Sequence, residues 1–288
     1  MKIKKIHYFP VPVIIVGNLT VGGSGKTPLV IEIARFLKTQ GLKPGIVTRG
    51  YGGKAKHYPL QVDEYSRPCE VGDEALLINR AVDCPVFVDP QRVRAVKKLL
   101  AKKNCDVIIS DDGLQHFALG RNLEIAVIDG DRRFGNGFCL PAGPLREPVS
   151  RLKSIDLKVT KGHTQDDEFT MQLIPDYFYQ LTAPQNKQKA PYFYRKSLHA
   201  VAGIGHPEQF FKTLRALGLS FQAHAFPDHH FFKQKELAFG EEVIIIMTEK
   251  DAVKCQGWVD PRLWCLKTKT KVDDRFFSAL LTKLYPAK

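Results

Sequence analysis

An apolar run, Val13-Ile14-Ile15-Val16, leads into Thr20-Val21-Gly22-Gly23-Ser24-Gly25-Lys26-Thr27, and this stretch leaves the chain few folds to choose from. The run reads as a short buried strand. After Thr27 an amphipathic helix extends to about Gln40, with Leu29, Ile33 and Leu37 on one face and Gly41 as its stop. Strand, glycine-rich turn ending in Gly-Lys-Thr, then helix is the context of a phosphate loop. Glycines let backbone N–H groups point at phosphate oxygens, and the helix N-terminus adds a favourable dipole. Lys26 would reach the β/γ-phosphates of a nucleotide, and the Thr27 hydroxyl would ligate Mg²⁺. The usual pattern opens with Gly; here Thr20 stands there. The alternative is a strand-to-helix turn that holds no ligand.

Further strand and helix patterns follow in alternation. Strands are expected at Gly45–Thr48, Pro85–Val88, Asp106–Asp111, Ile125–Asp129 and Asp156–Thr160, with helices at Gly72–Val82 and Pro90–Lys103. The second of these helices carries a basic face of Arg94, Lys97, Lys98 and Lys102. Such alternation predicts an α/β fold, a P-loop NTPase-like parallel sheet flanked by helices. Residues 163–197 are polar and aromatic and are interrupted by Pro175, Pro184 and Pro191. They read as a linker, with short strands at Thr170–Ile174 and Pro191–Arg195. Beyond it come strands His199–Ala202, Gln222–Phe226 and Val243–Thr248, and helices Pro207–Leu217, Lys250–Cys255 and Asp273–Tyr285. The expected organisation is a P-loop domain over 1–162, a linker over 163–197 and a smaller α/β domain over 198–288.

Ligands of open α/β sheets bind at the carboxyl ends of strands, so residues just after strands are the candidates. Val107-Ile108-Ile109-Ser110-Asp111-Asp112 has the form of a Walker B segment, whose carboxylate holds Mg²⁺. Asp-Gly after a strand is also an ordinary turn. Gln115 and His116 follow on the same loop and either line a site or face solvent. Asp73 precedes a helix; it is either a cap or a base for an attacking hydroxyl. Asp228-His229-His230 pairs a carboxylate with an imidazole, which fixes a tautomer and raises basicity, or it is a plain loop. Arg146 and Glu147 sit on a proline-stiffened loop, Pro141–Pro148, as a phosphate clamp or as a surface ion pair.

Taken together, these motifs resemble the tetraacyldisaccharide 4'-kinase family of lipid A biosynthesis in Gram-negative bacteria. The resembling stretches run in order along nearly the whole chain. They are Val16–Pro28, Arg49-Gly50-Tyr51-Gly52-Gly53, Val71–Glu74, Ser110–His116, Phe134–Gly137, Leu140–Pro148, Ala202–Pro207, Phe226–His230 and Thr248–Val253. Thr20 is what this family shows where other phosphate loops have Gly.

The resemblance implies transfer of the ATP γ-phosphate to the 4'-hydroxyl of a tetraacylated, phosphorylated glucosamine disaccharide. It implies two α/β/α domains, with the active site in a cleft that domain closure assembles. Asp73 and His229, with Asp228 beside the latter, would take the hydroxyl proton. Asp111, Asp112 and Thr27 would serve Mg²⁺. The loop from Thr20 through Val21, Gly22, Gly23, Ser24 and Gly25 to Lys26 and Thr27 would hold ATP, and Gln115, His116, Arg146 and Glu147 would complete the site.

The chain carries 43 basic and 30 acidic residues, a net charge of +13, which favours anionic partners. The six cysteines form no C-x-x-C pair and no zinc spacing, which predicts reduced cytosolic thiols. No apolar run approaches the roughly 18 residues of a spanning helix. The basic start, Met1-Lys2-Ile3-Lys4-Lys5, lacks the apolar core of a signal peptide. A cytoplasmic protein is therefore expected, and the resemblance implies that it is held peripherally at the cytoplasmic face of the inner membrane. The family carries an apolar, basic segment before the phosphate-loop strand, where this chain has Met1–Pro12. Tyr8, Phe9, the N-terminal lysines and the Pro90–Lys103 basic face are the expected contacts with an anionic leaflet.

Three rivals fit less well. A partitioning-type ATPase switch needs Lys where Val21 stands. A GTPase needs a guanine motif, and Thr248-Glu249-Lys250-Asp251 has the wrong spacing. A nucleic-acid module needs interleaved basic and aromatic residues, which are not found. No nucleic acid and no obligate protein partner are expected.

Overall fold

The structure is a computed structural model and describes Lys5–Pro286. Of the basic start discussed above, Met1 to Lys4 lie outside the described residues. The chain divides into two compact units: residues 1–172 together with 270–288, and residues 173–269. The second is thus an insertion in the sequence of the first.

The first unit runs β1 (Val13–Gly17), α1 (Lys26–Thr39), β2 (Pro44–Thr48), β3 (Leu60–Val62), α2 (Pro68–Val71), α3 (Asp73–Ala81), β4 (Val86–Val88), α4 (Arg92–Lys102), β5 (Val107–Asp111), β6 (Leu123–Asp129), β7 (Leu157–Lys161) and the start of β8 (Phe169–Gln180). The order across its sheet is β8-β7-β6-β1-β5-β2-β4-β3. All neighbours are parallel except β3 on β4. β1 lies between β5 and β6, with Val16 in register with Asp111 and with Ile125. Every residue of β1, β5 and β6 is buried, which is why these strands read as continuous apolar runs rather than alternating ones. Leu29, Ile33 and Leu37 of α1 are buried as expected. Gly41 turns the chain away at φ 77°.

The second unit holds the rest of β8, then β9 (Ala183–Gln188), β10 (Leu198–Ala202), α5 (Pro207–Ala216), β11 (Gln222–Ala225), β12 (Ile244–Thr248), α6 (Glu249–Ala252) and most of β13 (Leu263–Val272). Its parallel core is ordered β11-β10-β12-β13, and β8 and β9 form an antiparallel hairpin. The chain then returns to the first unit with α7 (Asp274–Leu284). There Phe277 packs on Phe36 of α1 at 4.6 Å, and Phe276 meets Phe169 edge-on.

The α/β class holds, and the partition differs from the expected one. Residues 163–197 are built structure, namely the β8–β9 hairpin and a 3₁₀ turn at Ala190–Phe193 where a strand was expected. Residues 270–288 belong to the first unit. The prolines that suggested a linker are tolerated because β8 passes through Pro175 without losing its extended path. All six cysteines are free thiols.

Candidate active site

The loop after β1 reaches α1 through Gly25, whose φ of 92° is a left-handed conformation that favours glycine. Gly22 does the same at 98°. α1 therefore starts at Lys26 with its first N–H groups unopposed by an N-cap side chain. Thr27 is buried in the first turn. Lys26 is aimed by two partners. Its Nζ donates to Asn18 Oδ1 at 3.1 Å and lies 3.5 Å from Asp112 Oδ1.

Asp111 ends β5, beside β1, and Asp112 begins the turn after it. Asp111 is 1% exposed, and neither carboxylate oxygen has a hydrogen-bond partner. Burial pushes its carboxyl up to about 7; the charges of Glu74 and Asp112 add to that, while Lys26 and Arg92 pull it back. Asp112 is held differently. Burial alone would raise its carboxyl, but Lys26 and Arg146 outweigh that and hold it below the usual carboxylate range. Arg146 Nη1 donates to both Asp112 oxygens, at 2.9 and 3.0 Å.

The loop from Gly135 to Pro148 is laced to the phosphate loop by its backbone. Val21 N donates to Pro144 O at 2.9 Å, Arg146 N to Leu19 O at 2.6 Å, and Thr20 forms an antiparallel bridge with Leu145. Gln115 Nε2 joins the two by donating to Asn18 O at 3.2 Å and to Glu147 Oε1 at 2.7 Å. Glu147 also faces Arg151 Nε at 3.3 Å. His116 follows in a half-buried turn, its carbonyl accepting from Arg121. Lys26, Asn18, Asp112, Gln115, Arg146 and Glu147 are thus linked in the first unit, with Thr27 and Asp111 next to them in sequence.

Asp73 opens α3 and is buried; its Oδ1 accepts from Glu74 N at 2.8 Å. Gly72, not Asp73, is the helix cap. A Cβ on Gly72 would sit 2.3 Å from Tyr51 O, and one on Gly53 would sit 2.4 Å from Glu70 O. The Arg49–Gly53 turn packs backbone against backbone on the α2–α3 junction, and this contact fixes the position of Asp73.

In the second unit, His229 sits at φ 60° with its side chain 16% exposed. Its N–H donates to Asp228 Oδ1 at 3.0 Å. Lys250 Nζ lies 3.3 Å from His229 Nε2 and 3.2 Å from Asp228 Oδ1. Lys250 is carried by α6, which is anchored by a fully buried ion pair. Lys254 Nζ lies 2.6 Å from Asp251 Oδ1, and the pair clamps Gly203, whose N–H donates to Asp251 and whose carbonyl accepts from Lys254. His230 is committed elsewhere, to Glu236 at 3.1 Å.

Three residues outside the expected set belong to these clusters. Asn18 holds Lys26, and its signal was a polar residue directly after a buried strand. Arg92 is buried and donates to the carbonyls of Asp89 and Asp111. It stands beside the basic face of Arg94, Lys97, Lys98 and Lys102, and nothing in the local pattern set it apart from that face. Lys250 stood in the resembling stretch Thr248–Val253 and in a rejected guanine motif, but was given no role of its own.

No group of three or more His, Cys, Asp or Glu side chains suited to a metal lies among the described residues. Mg²⁺ bound with a nucleotide does not need one, since phosphates and water supply most of its oxygens. The two orphaned oxygens of Asp111 and the buried Thr27 hydroxyl are the hard oxygen donors such an ion takes, so these residues fit Mg²⁺.

Comparison with known proteins gives one family. The family model of tetraacyldisaccharide-1-P 4'-kinase matches residues 1–285. A tetraacyldisaccharide 4'-kinase of Coxiella burnetii (strain RSA 331) is 52% identical over 274 residues, covering 95% of this chain and 81% of that protein. One from Nitrosococcus oceani is 49% identical over 286 residues, covering 98% and 83%. A crystal structure of LpxK from Aquifex aeolicus in complex with ATP superposes with a TM-score of 0.80 at 30% identity, covering 98% of this chain and 91% of that one.

Proposed function

The chain belongs to the tetraacyldisaccharide 4'-kinase family, and on that premise we propose that it transfers the γ-phosphate of ATP to the 4'-hydroxyl of a tetraacyldisaccharide 1-phosphate in lipid A biosynthesis. The observation that carries the reading is the phosphate loop with Lys26 held between Asn18 and Asp112, beside the unmatched carboxylate of Asp111. The ATP bound to the Aquifex relative supports ATP as the donor.

In this reading the backbone amides from Gly22 to Thr27 and the Lys26 ammonium hold the triphosphate. Thr27, Asp111 and Asp112 hold Mg²⁺, which when bound offsets charge on the phosphate oxygens. Asn18 and Asp112 keep Lys26 extended toward the loop. Arg146, fixed by Asp112, presents its remaining donors to phosphate, while Gln115, His116 and Glu147 orient what binds beside it. Asp73 takes the proton of the 4'-hydroxyl; in the second unit Asp228 and Lys250 flank the His229 imidazole, the other group we assign to proton transfer. The sugar oxygen then bonds to the γ-phosphorus as the bond to the β-phosphate oxygen breaks, and ADP leaves.

The acylated substrate supports work at the cytoplasmic face of the inner membrane, with the protein attached peripherally. No helix among the described residues is long and apolar enough to cross a membrane.

Incubation with γ-labelled ATP, Mg²⁺ and the detergent-dispersed lipid tests the reading. Label is expected in the lipid for the parent, with a loss of at least ~10²-fold for Lys26→Met. Label appearing only as inorganic phosphate would overturn it.

A further inference from the structure

Residues 135–142 of the first unit are all exposed, and no charged residue occurs from Gly135 to Pro144. The tip, Phe138-Cys139-Leu140-Pro141-Ala142, is apolar, with Phe138 63% and Leu140 55% exposed. Exposed apolar side chains grouped in this way, with no charge among them, are what an interaction site presents.

The loop is also braced by hydrogen bonds of its own. Phe138 N donates to Asn136 Oδ1 at 3.2 Å, Asn136 Nδ2 to Ala142 O at 2.9 Å, and Leu145 N to Phe138 O at 3.1 Å. Leu140 N donates to Leu145 O at 2.8 Å, and Ala142 N and Gly143 N both donate to Cys139 O. These bonds hold the tip in one shape and reduce the number of backbone polar groups it would carry into lipid. The same loop is tied to the phosphate loop through Pro144, Leu145 and Arg146, so the tip and the ATP cradle move as one piece.

We infer that the Phe138–Ala142 tip inserts into the surface of an anionic lipid bilayer and sets the phosphate loop at the height of a lipid headgroup. This rests on the proposed function in one respect: an acyl-anchored disaccharide keeps its chains in the bilayer, so the surface beside the phosphate loop must meet lipid. The excess of 13 positive charges attracts the protein to an anionic leaflet, and the apolar tip supplies the short-range contact that charge alone lacks.

Flotation with vesicles of phosphatidylethanolamine and phosphatidylglycerol, about 3:1, tests the inference. The double variant Phe138→Ser, Leu140→Ser is expected to partition roughly 10–100-fold more weakly than the parent. Tyr65→Ser removes an even more exposed aromatic elsewhere, at the turn before α2, and is expected to bind as the parent does. The double variant is expected to melt like the parent and to phosphorylate detergent-dispersed lipid at an unchanged kcat, while its KM rises on lipid embedded in vesicles. A Leu140→Trp variant is expected to shift its emission to the blue when vesicles are added. Equal partitioning of the parent and the double variant, no emission shift, or a change in self-association in place of vesicle binding would overturn the inference. Failure of every form to phosphorylate dispersed lipid, with the flotation difference intact, would instead count against the proposed function alone.

Discussion

Asp111 carries a buried carboxylate with both oxygens unmatched, and a folded chain keeps such a cost where ligand binding offsets it. Asp111→Asn is therefore expected to lower phosphate transfer by ~10²–10³-fold while leaving the ligand-free protein as stable as the parent, or more stable by about 1–3 kcal/mol. The pH dependence has a definite sign. The folded Asp111 carboxyl lies at about 7, above its unfolded value of about 4, so the folded state binds the extra proton in that window. The stability this proton confers is complete below pH ~4 and is lost as pH rises through ~7. The advantage of Asp111→Asn over the parent should thus widen across this range in thermal melts without ATP.

Asp73→Asn is expected to lower turnover by ~10²–10⁴-fold with ATP affinity kept, as checked by steady-state rates and nucleotide titration. Turnover within a few-fold of the parent would remove Asp73 from the role of base. Lys26, Thr27, Asp111 and Asp112 were legible because their spacing follows backbone geometry in the strand–loop–helix unit. Asn18 and Arg92 were not, since the partner of a buried polar side chain is set by tertiary packing that no local pattern encodes.

Among the elements, the Arg49–Gly53 turn and the α2–α3 junction are the most exacting. Gly72 combines φ of 83° with a carbonyl 2.3 Å from where a Cβ would stand. Gly72→Ala is expected to destabilise the protein by ~2–4 kcal/mol in denaturant unfolding and to displace Asp73 enough to cost activity as well. The turn joining β7 to β8 rests on Glu168. Burial would raise its carboxyl, but Arg133, Gln165 N–H and the Thr160 hydroxyl hold it below the usual range. Glu168→Gln should cost about 1–3 kcal/mol at neutral pH, and the deficit should fade as pH drops through the depressed folded value, where the parent's carboxylate is protonated too.

Most of the parallel strands were readable, because strands buried on both faces are plain apolar runs. β13 escaped notice: its Leu-Trp-Cys-Leu start is short, and it continues as alternating Lys and Thr that resemble a solvated segment. β8 was broken in the reading at Pro175, a residue more often found where strands end.

At the scale of the molecule, an insertion is what a linear reading resolves least well. The second unit leaves the first within β8 and returns within β13, and α7 packs on α1 through Phe277 and Phe36. A boundary placed at one point along the chain cannot express this, since the contacts that assign α7 join residues far apart in sequence. The net charge of +13, by contrast, needs no fold to be read. Its expected consequence is salt-sensitive attachment to anionic vesicles, weakening between about 50 and about 500 mM salt while the apolar contribution persists.

The most direct measurement is fragmentation mass spectrometry of the lipid recovered after reaction with ATP and Mg²⁺. The expected product carries one added phosphate, located on the 4' position of the distal glucosamine. Recovery of unmodified lipid from a reaction that consumes ATP, or of phosphate on any other hydroxyl, would contradict the assignment of this phosphate loop to a lipid 4'-kinase.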